Sequence, residues 1–213
     1  MNVTCIVLCG GHSRRMGRPK AWLPFGDEFL LQRIVRIVGE AVGKVIVVAA
    51  KDQAIPPLPE HARRVDDQIA DQGPLGGLAA GLTAVESDCD AVFLTACDVP
   101  FLSSSFICRL IDSLSDPSFE AATPFSDRLH PLTSAFRVSA RSVIEKQLAE
   151  SRLRIRELFD VLPTRILQHE TFLDIDPNLE SLRNINTPDD YTQALTDYNL
   201  RHGRNTGAGT VNG

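Results

Sequence analysis

Four cations, Arg14, Arg15, Arg18 and Lys20, stand close together in a segment that also holds Gly10, Gly11 and Gly17. Glycines let backbone N–H groups approach an anion with no side chain in the way. Four cations repel one another unless an anion sits among them. The chemistry this combination suits is phosphate binding. The segment is not a Walker loop, because Lys20 is followed by Ala21 and the glycine spacing differs. It is not the dinucleotide fingerprint either, because the third glycine is missing. For Arg18 alone a solvated basic turn is the better reading. For Arg15 and Lys20 beside the glycines, phosphate is.

Further candidates stand downstream. Asp98 lies in Cys97-Asp98-Val99-Pro100, just past the apolar run Ala91 to Thr95. A carboxylate at the carboxyl end of a buried strand is poorly placed for packing and well placed for chemistry. Mg²⁺ takes one or two protein carboxylates and completes its shell with phosphates and water. Asp67, with Asp66 beside it, precedes Gly73-Pro74-Leu75-Gly76-Gly77, a glycine-led helix start whose free N–H groups suit an anion. An ordinary loop-to-helix junction explains that segment about as well. Asn184 and Asn186 are two apart, so on an extended segment they point the same way. Thr187-Pro188 after them is a good helix start.

The elements that must position these residues follow from periodicity. Val3 to Leu8, Val45 to Ala50 and Ala91 to Thr95 are continuous apolar runs that read as buried strands. Shorter strands are expected near Arg63 to Val65, Glu120 to Pro124, Leu132 to Phe136 and Thr164 to Leu167. Helices are expected over Phe29 to Val42, Pro74 to Val85, Ser103 to Leu114, Ser139 to Glu150, Ile155 to Phe159 and Pro188 to Tyr198. Strands that are apolar on both faces and alternate with helices imply an α/β fold. The expected form is a three-layer α/β/α domain with a mostly parallel, Rossmann-like sheet. Ligands in such sheets bind beyond the carboxyl ends of the strands, where these candidates fall.

The chain has 213 residues, which suits one domain, taken as residues 1–200 with a flexible tail over 201–213. At 43% hydrophobic and 23% charged residues it has the composition of a folded globular protein. A net charge of -5 with no basic block disfavours a general nucleic-acid binder. No apolar run is long enough to span a membrane, and Met1 to Cys9 does not read as a signal peptide. The expected location is the cytoplasm. Five cysteines (Cys5, Cys9, Cys89, Cys97 and Cys108) with no metal-type spacing are then expected to be reduced, most of them as small buried hydrophobes.

The segment Gly10-Gly11-His12-Ser13-Arg14-Arg15-Met16-Gly17 followed by Lys20 resembles the signature of nucleotidyltransferases that activate sugars and cofactors. Within them the chain is most similar to the molybdenum cofactor guanylyltransferases, over roughly Val3 to Tyr198. Asp67 with Gly73-Pro74-Leu75-Gly76-Gly77, Cys97-Asp98-Val99-Pro100 and Asn184-Ile185-Asn186-Thr187-Pro188-Asp189-Asp190 occur in the family's order. The resemblance implies transfer of GMP from GTP to molybdopterin, with release of pyrophosphate and Mg²⁺ as cofactor. It implies that Arg15, Lys20 and Asp98 are catalytic, with Asp98 on the metal. Leu8, Cys9, Gly10, Gly11, Lys20, Asp67 and Asp98 would hold the nucleotide, and Asn184, Asn186 and His130 the molybdopterin. His130 reads equally well as a satisfied loop histidine. Delivery proteins for the cofactor are further implied partners. Two positions depart from the pattern: Pro19 replaces an aspartate, and Ala50 an asparagine that helps hold the nucleotide. The rivals are a cytidylyl or sugar-phosphate transferase and a non-catalytic nucleotide-binding module.

Overall fold

Every residue of Val3–Leu8 is buried, which is why that strand is apolar without alternation. The computed structural model describes residues 1–10, 18–67 and 72–203. Arg14, Arg15, Gly11, Gly17 and the tail from residue 204 lie outside the described residues. The chain runs through β1 (Val3–Leu8), β2 (Pro24–Phe25), β3 (Glu28–Phe29), α1 (Leu30–Val42), β4 (Lys44–Ala50) and β5 (Ala62–Asp67). It continues through α2 (Gly73–Ala84), β6 (Ala91–Ala96), α3 (Ser104–Asp112), β7 (Ala121–Pro124) and β8 (Ser134–Arg137). The last elements are α4 (Arg141–Ala149), α5 (Leu158–Val161), β9 (Thr164–Leu167) and α6 (Pro188–Arg201).

Seven strands form one sheet in the order β5-β4-β1-β6-β8-β7-β9. β1 lies between β4 and β6 and is parallel to both. β8 pairs antiparallel with β6 and with β7, so it alone opposes the common direction of the sheet. The expected three-layer, mostly parallel architecture is present. On one face α1 and α3 pack over Val7, Val47 and Phe93; on the other α2 and α4 pack over Ile6, Ile46 and Leu94. Successive residues of each strand thus supply the two cores in turn.

α2 approaches the sheet closely. A Cβ on Gly77 would lie 2.8 Å from Leu8 Cδ2, and one on Gly81 would lie 2.7 Å from Ile6. These glycines are required for helix–strand contact. Leu8 is thereby held with its side chain under α2.

Several element boundaries differ from expectation. The hairpin of β2 and β3, which turns at Gly26 (φ +69°), precedes α1 and displaces Phe29 from the helix. Two-residue strands are too short to leave a periodic signal. α3 ends at Asp112 and tightens into a 3-10 turn over Ser113–Ser115. α6 runs to Arg201 rather than Tyr198, so the helix takes up the first residue assigned to the tail. α6 and the hairpin share a separate small core of Leu23, Phe25, Leu30, Ile185, Ala194 and Tyr198. That core fixes the segment before α6 against the main sheet.

Candidate active site

Lys20 opens a 3-10 turn, Lys20–Trp22, whose Ala21 is buried beneath it. This turn aims the Lys20 ammonium at Asp98. Nζ lies 2.8 Å from Asp98 Oδ2 and 3.3 Å from Asn186 Oδ1. Asp98 follows β6 at the carboxyl end of the sheet, and Asn184 Nδ2 donates to its Oδ1 at 3.1 Å. The two side chains of the ion pair are only 17% and 15% exposed. Three segments far apart in sequence therefore meet on one carboxylate.

The Asn184–Asn186 segment reaches Asp98 for a local reason. Ile185 is fully buried in the small core, and its N–H donates to the Asp98 carbonyl at 2.8 Å. In an extended segment its neighbours must then face the other way, toward Lys20 and Asp98. Asp190 pins the end of the segment: its Oδ2 accepts from the Asn186 and Thr187 N–H groups at 2.9 and 2.8 Å. Thr187 caps α6 by accepting from Asp190 N–H at 3.1 Å. The Asn186 amide first, then Thr187, holds the Asp190 carboxyl below the usual carboxylate range. Asn184 and Asn186 are thus placed directly on the Lys20–Asp98 pair.

The base-side candidates lie at the ends of β1, β4 and β5. Leu8 C=O accepts from Cys97 N–H at 3.1 Å, and Cys9 N–H donates to Val48 C=O at 2.8 Å. The Cys9 carbonyl accepts from Gln53 Nε2 at 2.7 Å. These main-chain groups are committed to the protein; among the described residues, Gly10 is the first of the run for which no such bond is formed. Asp67 ends β5 opposite Ala50. Strand alternation puts it on the α2 side with Val65, while Asp66 faces the other way and pairs with Arg64 Nε at 2.7 Å. Of the two acids, Asp67 is the one on the face where Leu8 and α2 meet. Gln72 at the start of α2 makes no side-chain capping bond, in contrast to Ser103 at α3 and Thr187 at α6.

His130 is held apart from this cluster. Its Nε2 lies 2.9 Å from Ser126 Oγ, and Ser126 donates its one hydrogen to Asp127 Oδ1 at 2.8 Å. His130 Nε2 is then the donor to Ser126, which leaves Nδ1 as an acceptor with no hydrogen bond among the described residues. Burial, and then the nearby Arg128, lower the His130 pKa and favour this neutral ring. Among the described residues no hydrogen bond joins His130 to Lys20, Asp98 or the asparagines. Its segment enters β8 at the carboxyl end of the sheet, since Ser134 pairs with Leu94.

The model of the MobA-like NTP transferase domain matches residues 5–166. The chain belongs to this family. A relative from Mycobacterium avium, named a probable molybdenum cofactor guanylyltransferase, is 34% identical over 194 residues, 89% of this chain and 93% of its own. The structure of molybdopterin-guanine dinucleotide biosynthesis protein A from Archaeoglobus fulgidus superposes with a TM-score of 0.77 at 21% identity. It covers 91% of this chain and 97% of that one. Rv0371C from Mycobacterium tuberculosis, solved as a complex with manganese, has a TM-score of 0.61 at 18% identity and covers 92% of this chain and 99% of its own. At these identities the two structures speak to the fold alone.

In this MobA-like domain two features escaped the sequence. Gln53 takes the Cys9 carbonyl, and Arg64 holds the Gln53 turn by donating to the carbonyls of Ala50, Lys51 and Gln53 at 2.8–2.9 Å. Ala50 has no polar side chain, and Gln53 Oε1 accepts from its N–H at 3.4 Å. The second feature is a thiol pair. Cys97 beside it holds the Cys9 thiol below the ordinary thiol range, while Cys9 and burial push Cys97 itself well above it.

Proposed function

We propose that this MobA-like domain transfers GMP from GTP to the terminal phosphate of molybdopterin and releases pyrophosphate. The observation that carries the reading is the meeting of Lys20, Asp98, Asn184 and Asn186 at the carboxyl end of the sheet. The names carried by its relatives favour guanine and molybdopterin over the rival substrates. A molybdopterin phosphate oxygen attacks the α-phosphorus of GTP. A new P–O bond forms there as the bond to the β-phosphate oxygen breaks. Two anions must meet, so neutralising charge is the main task.

Lys20 has three hydrogens to give, and among the described residues Asp98 and Asn186 take two of them. The third is assigned to a phosphate oxygen. Arg15, outside the described residues, is assigned to the departing pyrophosphate. Asn184 and Lys20 between them fix both oxygens of Asp98. A single oriented carboxylate beside a phosphate site suits Mg²⁺, which takes few protein ligands. Bound there, the ion would supply positive charge to the phosphate oxygens. The attacking phosphate is already ionised near neutral pH, so no general base is assigned. Gly10, Gly11 and Asp67 are assigned to the nucleotide. His130, with Nδ1 as acceptor, is assigned to the N–H groups of the pterin.

The test is turnover with purified molybdopterin and each of the four NTPs, with Mg²⁺, with Mn²⁺ and with chelator. Dinucleotide formed from GTP in preference to CTP, dependent on a divalent ion, is the expected result. Product from CTP alone would move the chain to the cytidylyl enzymes. Nucleotide binding without product from any NTP would make it a non-catalytic module.

A further inference from the structure

Cys9 and Cys97 lie one residue beyond the last paired positions of adjacent parallel strands, where Leu8 is in register with Ala96. The ladder continues past that pair, because Cys97 N–H donates to the Leu8 carbonyl at 3.1 Å. The two cysteines are therefore cross-strand neighbours on one face of the sheet, and both belong to the core beneath Ala21. They are 5% and 6% exposed. Neighbouring strands run about 4.8 Å apart, inside the Cα range of roughly 4.4–6.8 Å that a disulfide spans. The other three cysteines are placed differently. Cys5 lies inside β1, Cys89 donates to the Ala91 carbonyl at 3.1 Å, and Cys108 is exposed on α3.

We propose that Cys9 and Cys97 form a dithiol modification site for hydroperoxides, and that its disulfide closes the candidate active site. The position gives the bond its effect. Cys9 precedes Gly10 at the mouth of the glycine and cation loop, and Cys97 precedes Asp98. A disulfide brings its Cβ atoms to about 3.8 Å, closer than side chains stand across an undistorted parallel pair. Closing it draws the two strand ends together. Gly10 and Asp98 shift with them, and Gln53 loses its contact with the Cys9 sulfur. A bond formed against the sheet spacing is also readily reduced, as suits a reversible mark.

The chemistry balances with one peroxide. One sulfur attacks a peroxide oxygen, the O–O bond breaks, and a sulfenic acid and one water (or alcohol) result. The second sulfur attacks the sulfenic sulfur, the S–S bond forms, and a water leaves. Two thiols lose two electrons and two hydrogens to the peroxide. Hydrogen peroxide is close to water in size, which suits a pair buried at the edge of a ligand site.

The test uses the full, reduced chain and hydrogen peroxide. Intact mass should fall by two hydrogens, and peptide mapping after alkylation should join Cys9 to Cys97. The thermal shift induced by GTP should be lost on oxidation and return with dithiothreitol. Cys97→Ala, or Cys97→Ser if the first folds poorly, should keep its GTP shift after peroxide. Cys108→Ser should respond like the parent chain. A link between any other pair, further oxidation without a link, or a link that leaves the GTP shift intact would each overturn the proposal. So would equal peroxide loss in the Cys97 variants. Closure rests on the nucleotide site proposed above, but mapping needs neither nucleotide nor turnover. Failure of the dithiol and failure of the guanylyltransferase reading are thus separable.

Discussion

At the carboxyl end of the sheet Lys20 meets Asp98, with side chains 17% and 15% exposed; at the amino end Lys44 meets Glu86, with side chains 46% and 60% exposed. The amino end also has a hollow, a cavity of about 350 Å³ lined by Thr4, Lys44, Glu60, His61, Arg63 and Glu86 among others. Both ends carry lysine, acid and neighbouring charge. They differ in what surrounds the pair. Asp98 and Lys20 are each gripped by an asparagine from a segment fixed by its own small core. Lys44 and Glu86 pair with each other in solvent, where long side chains lose entropy for a weak, screened attraction. Arg63, nearby, is committed to the Ala84 carbonyl. Preorganisation, not the volume of the hollow, separates the two ends.

The largest expected effect tests the carboxyl end directly. Asp98→Asn keeps the size of the side chain and removes its charge. Turnover should fall by about two orders of magnitude or more, the scale of losing one preorganised electrostatic group. Circular dichroism and thermal melting should show an intact fold. A folded Asp98→Asn protein that works normally would place the chemistry elsewhere. Lys20→Met comes next. Every NTP shares the triphosphate, so binding should weaken alike for all of them, by about 1.5–3 kcal/mol. Competition binding reads this, and a loss confined to GTP would take Lys20 off the phosphates.

A smaller effect separates the two neighbouring acids of β5. Asp67→Asn should weaken GTP more than CTP or ATP, because guanine offers N–H donors that suit a carboxylate. Asp66 is spent on Arg64, and Arg64 in turn holds the Gln53 turn. Asp66→Asn should therefore leave nucleotide preference alone and cost at most about 1 kcal/mol of stability, the range for an exposed ion pair. The informative readout is the ratio of GTP to CTP affinity. A changed ratio in Asp66→Asn with none in Asp67→Asn would reverse the assignment.

The same contrast explains what could be read in advance. The buried strands were legible because burial on both faces writes itself as an unbroken apolar run, as in Val45 to Ala49 of β4. Asn184 and Asn186 were legible as a pair because alternation needs only local sequence. Their attachment to Asp98 was not, because it depends on Ile185 entering a core built from α6 and the β2–β3 hairpin. The hairpin itself leaves no periodic trace. Gln53 on the Cys9 carbonyl joins residues 44 apart, and the Cys9–Cys97 pair comes from strand register alone. Neither the glutamine nor the cysteines have a spacing that announces a partner. The role of the cation loop rests on residue types, since Arg14, Arg15 and Gly11 lie outside the described residues.

The smallest effect is expected at the amino end, and it is the one that can break the comparison. The double variant Lys44→Ala, Glu86→Ala removes the best-formed ion pair there. Lys44 holds the Glu86 carboxyl below its usual range, and Glu86 raises the Lys44 ammonium above its own. The sign of each shift fixes where the pair acts. Its contribution is present between the two titrations. It is lost as pH falls through the lowered Glu86 value, and again as pH rises through the raised Lys44 value. Both side chains stand well out in solvent, so salt should screen what attraction they have. Turnover, GTP affinity and the thermal midpoint at neutral pH should all match the parent chain. If turnover drops while the midpoint holds, the amino end is coupled to Asp98 through β4 or α2, and the hollow there acquires a function. If only the midpoint drops, and the drop vanishes at high salt, the pair stabilises the fold and the two ends remain distinct.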